Sequence, residues 1–113
     1  MNDKTALIFY IGIISLQYIV KFLKNIIKED RPIKKNTYGM PSTKSATLFF
    51  IIGFLVLNYD FKTDTIFKLL SLAIIGVLYK LYFKEHSIKQ IIVGGLLGLL
   101  YSYIIYNLLI KNN

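Results

Sequence analysis

Four stretches of this chain carry no charge, and they limit its fold more tightly than any other feature. Residues 5–20, 45–59, 69–79 and 90–110 contain no Asp, Glu, Lys or Arg. A helix that crosses about 30 Å of hydrocarbon needs about 20 apolar residues, with a range of about 17–25. The last stretch reaches that length unaided. The others reach it if Lys21, Lys68 and Lys80 lie near helix ends and extend their ammonium groups toward the headgroups. Lys68 and Lys80 would stand about 18 Å apart along a helix, so they serve opposite interfaces of one span. The expectation is an all-α integral membrane bundle of about four transmembrane helices, near 5–24, 43–60, 65–83 and 87–110. These form a single membrane domain over residues 1–113.

A soluble helical bundle would show polar faces, and these are missing. Segments such as "FFIIGFLVLNY" and "IIVGGLLGLLYSYIIYNLLI" are apolar all round, which suits lipid. Tyr10, Tyr38, Tyr59, Tyr79, Tyr82, Tyr101, Tyr103 and Tyr106 fall mostly near segment ends, as an interfacial aromatic belt requires. No cleavable leader is evident after the weakly charged "MNDK". The chain has no cysteine, which excludes a disulfide scaffold, a thiolate metal site and a Cys nucleophile. Its one histidine, His86, makes a zinc site improbable, because zinc needs three or four N, S or O ligands. No metal or cofactor is expected, and a Ser-His-Asp hydrolase would have to use the same His86.

The net charge of +8 then needs a place. With four spans, the 1–2 and 3–4 connections share one membrane face. That face collects Lys24, Lys28, Arg31, Lys34, Lys35, Lys44, Lys80, Lys84, Lys89 and His86 against Glu29, Asp30 and Glu85. Three causes produce such asymmetry: the positive-inside rule, attraction to anionic headgroups, and a phosphate-binding site built from the charges themselves. Nucleic acid is not expected as a partner, since the basic patch is small, lies between spans and has no recognition motif.

The third cause requires particular residues in a particular order. The first connection reads "KNIIKEDRPIKKNTYGMPSTKSATLFF", with Lys24-x6-Arg31-Pro32 and then Pro41-Ser42-Thr43-Lys44. The second reads "YKLYFKEHSIKQIIVGG", with Lys80, five residues, His86, and Gln90 one helical turn later. This order resembles the type 2 phosphatidic acid phosphatase (PAP2) superfamily, whose three motifs are K-x6-RP, PSGH and SR-x5-H-x3-D. Within it the likeness is greatest to dolichyldiphosphatases, which share a "KNII…RP" approach and carry glutamine where most relatives have aspartate. The resemblance runs from about Lys24 to Gly95 and keeps the spacing of all three motifs.

The resemblance implies metal-independent phosphoryl transfer. Lys24, Arg31 and Lys80 would hold the phosphoryl group, with Arg31 best suited because its planar fork bonds phosphate in a bidentate manner. Backbone N–H groups around Ser42 and Thr43, at the start of the second helix, would add donors. His86 would be the nucleophile that forms a phosphohistidine, and Gln90 at i+4 would orient its ring. Two positions depart from the family. Lys44 stands where relatives carry the histidine that protonates the leaving group, and an ordinary lysine, with a pKa of about 10.4, is a poor acid near neutral pH. Tyr79-Lys80 replaces Ser-Arg, which keeps the charge and loses the bidentate fork. A diphosphate substrate suffers least from the first change, because its leaving group needs less protonation.

The expected substrate is therefore an isoprenoid (dolichyl-type) diphosphate or another lipid phosphate, handled at the bilayer surface. An endoplasmic-reticulum-type membrane is the expected location if the dolichyldiphosphatase likeness extends to function. The alternatives are a catalytically degenerate relative that binds lipid phosphate without turnover, and a small cationic permeabilising or scaffold protein. Lys28, Lys34 and Lys35 read as a solvated basic face. Gly94, Gly95 and Gly98 read as a small-residue packing face. Association into an oligomer is left open, since relatives commonly have about six spans.

Overall fold

Side-chain caps set where three of the helices begin. The computed structural model of the protein describes residues 2–32 and 38–111; Lys34 and Lys35 lie outside them. Helix α1, Asp3–Ile27, starts where the Asn2 side chain accepts the Thr5 N–H. It ends at Lys28, whose left-handed conformation (φ 53°) turns the chain while its N–H closes on the Lys24 carbonyl. Helix α2, Thr43–Asn58, is capped by Ser42, and helix α3, Thr63–Tyr82, follows Lys62 without a side-chain cap. Helix α4, Ile88–Ile105, opens on a reciprocal capping box between Ser87 and Gln90 and runs into a π-helical turn at Tyr106–Lys111. All regular elements among the described residues are helical.

Three of these helices have the length and composition to cross a membrane: α1, α3, and α4 taken with its π-helical turn. The exception is α2, whose 16 residues give about 24 Å, short of the hydrocarbon thickness. The expected four spans are thus three full-length ones and a shorter apolar helix. The reason is local: the Ser42 cap fixes its start, and the chain turns extended at Tyr59 before the polar 60–64 segment. α2 is also the central element, packing against all three other helices and most extensively against α4.

The core forms around α2. Ala46, Phe50 and Phe54 are fully buried against Leu16 and Val20 of α1, and Ile105 of α4 closes the cluster. Phe9, Phe50, Phe54 and Tyr101 make a set of ring contacts at centroid distances of 5.1–6.2 Å. Tyr101 therefore belongs to the core and not to an interfacial belt, and its hydroxyl bonds Ser15 of α1. By contrast, Leu7, Tyr18, Phe22, Phe67, Leu72, Ile75, Leu96 and Leu100 point outward, an apolar exterior suited to lipid.

Close approach of α2 and α4 depends on glycine. A Cβ at Gly94 would meet the Ser42 carbonyl oxygen at 2.5 Å, and one at Gly98 would run into the Ala46 carbonyl oxygen. Both obstacles are backbone, which cannot rotate away. Gly98→Ala is expected to destabilise the bundle by about 1–3 kcal/mol through overpacking. Gly76→Ala, where the new methyl meets only Leu48 at ordinary contact distance, should match or slightly exceed wild type. Thermal unfolding in detergent separates the two, and equal melting temperatures would refute this account of the packing.

Candidate active site

The end of α1, the start of α2, the end of α3 and the start of α4 converge at one pole of the bundle. The central contact is backbone to backbone: the Ser42 N–H donates to the Gln90 carbonyl at 3.1 Å. Ser45 reinforces it, its hydroxyl donating to the Ile91 carbonyl at 2.6 Å. The PST segment is thereby locked onto the first turn of α4, beside His86.

His86 sits in the short connection between α3 and α4 and is 2% exposed. Its Nδ1 lies 3.0 Å from the Gly39 carbonyl oxygen and 3.3 Å from Gln90 Oε1. Both neighbours are acceptors, so Nδ1 carries the proton. Its Nε2 lies 3.3 Å from Arg31 Nη1, which is a donor only, so Nε2 presents a lone pair. The same Arg31 nitrogen donates to the Glu85 carbonyl at 3.2 Å. A neutral imidazole with its open nitrogen beside a guanidinium is the state a nucleophile needs.

Electrostatics support that state. Burial pushes the His86 imidazole down to about 4, the Arg31 charge adds to the fall, and the Gln90 hydrogen bond partly opposes it. Glu29 titrates below its ordinary range because the Gln90 amide hydrogen-bonds its carboxylate. No group of three or more His, Cys, Asp or Glu suited to a metal ion occurs among the described residues.

The structure gathers some sequence-derived candidates and separates others. His86, Gln90, Arg31 and Ser42 are joined directly by hydrogen bonds. Lys24, half-buried in the last turn of α1, is close enough for its charge to act on His86. Lys80 pairs with Glu85 at 2.8 Å, and its carbonyl accepts the N–H groups of Glu85 and His86. Ser42's own N–H is engaged with Gln90, whereas among the described residues those of Thr43 and Lys44 make no intramolecular bond and stay open at the start of α2. Lys44 is exposed, its ammonium 5.5 Å from the Tyr79 ring centroid.

Sequence reasoning passed over Gly39 and counted Glu29 only among the three acidic residues of the basic face. Gly39 lies where a Cβ would meet Gln90 Oε1 at 2.6 Å and the Arg31 side chain at 2.9 Å. Its position in "YGMPS" was the signal. For Gln90, the S-x-x-Q spacing after Lys84-Glu85-His86 marks a capping box legible in sequence.

Comparison with known proteins covers most of the chain, the family model beginning just after Arg31. A family model described as the PAP2 superfamily matches residues 33–113. The chain is 27% identical to Dolichyldiphosphatase 1 of Dictyostelium discoideum, over 96% of this chain and 54% of that protein. It is 31% identical to Lipid phosphate phosphatase epsilon 2, chloroplastic, of Arabidopsis thaliana, over 96% of this chain and 42% of that protein. The chain thus spans about half the length of these curated relatives. No solved structure matches it.

The buried, neutral imidazole makes a pH prediction. A histidine whose pKa is depressed by folding contributes its stabilisation fully above the ordinary value of about 6.5 and loses it as pH falls through about 4. The 15N resonances of His86, the lone histidine, should therefore titrate near pH 4 in detergent-solubilised protein. A midpoint at or above 6.5 would contradict the site described.

Proposed function

The chain belongs to the PAP2 superfamily, and from that membership we propose that it is a membrane phosphatase of lipid phosphates, with isoprenoid diphosphates as its preferred substrates. The observation that carries the proposal is the pairing of His86 Nε2 with Arg31 at 3.3 Å, Nδ1 being tied to two acceptors on its far side. Both curated relatives are named as phosphatases, one of dolichyl diphosphate and one of lipid phosphate.

In this reading Arg31, Lys24 and Lys80 bind the nonbridging oxygens, and the open N–H groups of Thr43 and Lys44 add the start of α2. A dianion arriving here relieves the crowding of like charges around His86. Nε2 attacks phosphorus, an N–P bond forms, and the P–O bond to the lipid monophosphate breaks. Water then attacks phosphorus, and phosphate leaves with Nε2 restored. No step calls for a metal. Lys44 starts from an exposed position against Tyr79, which suits a leaving group that departs without full protonation.

One observation favours a second reading, binding without turnover. The Lys44 ammonium lies over the Tyr79 ring and the Lys80 ammonium is paired with Glu85, so both ammonium groups are engaged by groups other than the His86 ring. A Lys44→His variant decides between them.

With a polyprenyl diphosphate in detergent and excess chelator, wild type is expected to release phosphate and His86→Ala to lose release altogether. Arg31→Lys should fall about 10- to 100-fold, matching the loss of a charge-assisted hydrogen bond of about 1.5–3 kcal/mol. Wild type that is inert and binds phosphate, alongside an active Lys44→His, would establish the second reading. Unchanged release from His86→Ala would overturn both.

A further inference from the structure

The residue behind His86 is a neutral amide, and a carboxylate stands directly behind that amide. Gln90 Nε2 donates to Glu29 Oε1 at 2.9 Å and to the Asp30 carbonyl at 2.9 Å. On its other side, Gln90 Oε1 accepts the Ser87 N–H at 3.0 Å and faces His86 Nδ1 at 3.3 Å. Donor and acceptor sides of the amide are therefore assigned by their partners. Gln90 is itself 1% exposed, so this relay runs through the protein and not through water.

Glu29 holds the second acceptor as well. Its backbone carbonyl accepts the Gly39 N–H at 2.8 Å, and the Gly39 carbonyl lies 3.0 Å from His86 Nδ1. Both groups that face Nδ1 are thus anchored on one residue, placed inside the six-residue interval between Lys24 and Arg31. The surrounding charges are Lys24 in the last turn of α1 and Arg31 in the connection after it, Lys80 in the last turn of α3 and Glu85 in the connection after it, and Lys89 from α4. Glu85 is bound to Lys80. Glu29 is the carboxylate hydrogen-bonded to the amide that faces the ring.

We infer that Glu29 is a positioning residue for His86, acting through Gln90 to hold Nδ1 as the N–H and to polarise the amide oxygen toward it. The kinetic consequence rests on the proposed nucleophilic role of His86; the effect on the ring does not. When the N–P bond forms at Nε2 and the P–O bond to the leaving group breaks, the ring becomes cationic while Nδ1 keeps its proton. Its hydrogen bond to the amide oxygen then strengthens, and a carboxylate behind the amide strengthens it further. An amide alone supplies no charge. The pair supplies it at one remove, and the gain appears in the transition state more than in the ground state.

The rival account is that Glu29 merely pairs with Lys89, whose ammonium lies 3.3 Å away and whose side chain is 72% exposed. Lys89→Ala removes that pair and leaves the relay intact.

The test uses the whole chain labelled with 15N-histidine, whose single imidazole reports its tautomer at neutral pH without substrate. Wild type and Lys89→Ala should show a protonated Nδ1 and an unprotonated Nε2. In Glu29→Ala the two resonances should move toward each other as tautomers mix, whereas Glu29→Gln, which keeps an acceptor, should restore the separation. With polyprenyl diphosphate, Glu29→Ala should lower kcat about 10-fold at unchanged KM, in the range of lost outer-sphere partners. It should cost nothing further once Gln90→Ala is present. A ring signature in Glu29→Ala identical to wild type would overturn the inference. A Glu29-dependent tautomer in a protein that releases no phosphate would support it while overturning the proposed turnover.

Discussion

The close packing of α2 on α4 is the constraint on which the rest of the structure depends. Gly94 and Gly98 remove the side chains that would hold the two backbones apart, and the Ser42 N–H then reaches the Gln90 carbonyl. That single contact fixes the PST segment against the turn that carries His86. Ser45 and the aromatic set around Phe50 secure the same interface on either side. Glycine matters here for what it omits, since each missing Cβ would strike backbone atoms.

From that joint follows an arrangement in which a polar site survives at the end of an apolar bundle. His86, Gln90, Ser42 and Ser45 are buried, and no buried side-chain nitrogen or oxygen among the described residues lacks a hydrogen-bond partner. Burying polar groups is tolerable on that condition. The cations are treated differently. Arg31 and Lys24 are half-buried near the imidazole, Lys80 is tied to Glu85, and Lys44 rests against Tyr79. Burial, together with the charges of Arg31 and Lys24, keeps His86 neutral, and an arriving phosphate dianion would offset their repulsion. The positive face is the counterpart of the substrate that the proposal assigns to it.

Much of this was legible in the sequence because it rests on short-range chemistry. Uncharged stretches marked the helices, and the Pro41-Ser42-Thr43 motif marked the start of the second. The motif order brought Arg31, His86 and Gln90 to one membrane face. The uncharged run 45–59 ends where α2 ends, at the extended backbone of Tyr59, and is itself shorter than a full span. Position near a segment end does not set Tyr101 apart from the other tyrosines, because its packing depends on a partner, Phe50, distant in sequence. The link from Glu29 to Gln90 is hidden for the same reason: the hydrogen bond joins residues 61 positions apart. The spacing that puts Lys44 in the motif does not give the direction of its side chain, whose ammonium lies over the Tyr79 ring.

The most direct test of the central claim is to trap the phosphoryl group on the enzyme. Protein incubated with a polyprenyl diphosphate carrying a labelled terminal phosphate, then quenched rapidly in base, should hold an acid-labile label on His86. The label should form in excess chelator, decay as phosphate appears, and be absent from His86→Ala. Phosphate release without any labelled wild-type intermediate, or a label that persists in His86→Ala, would contradict the account.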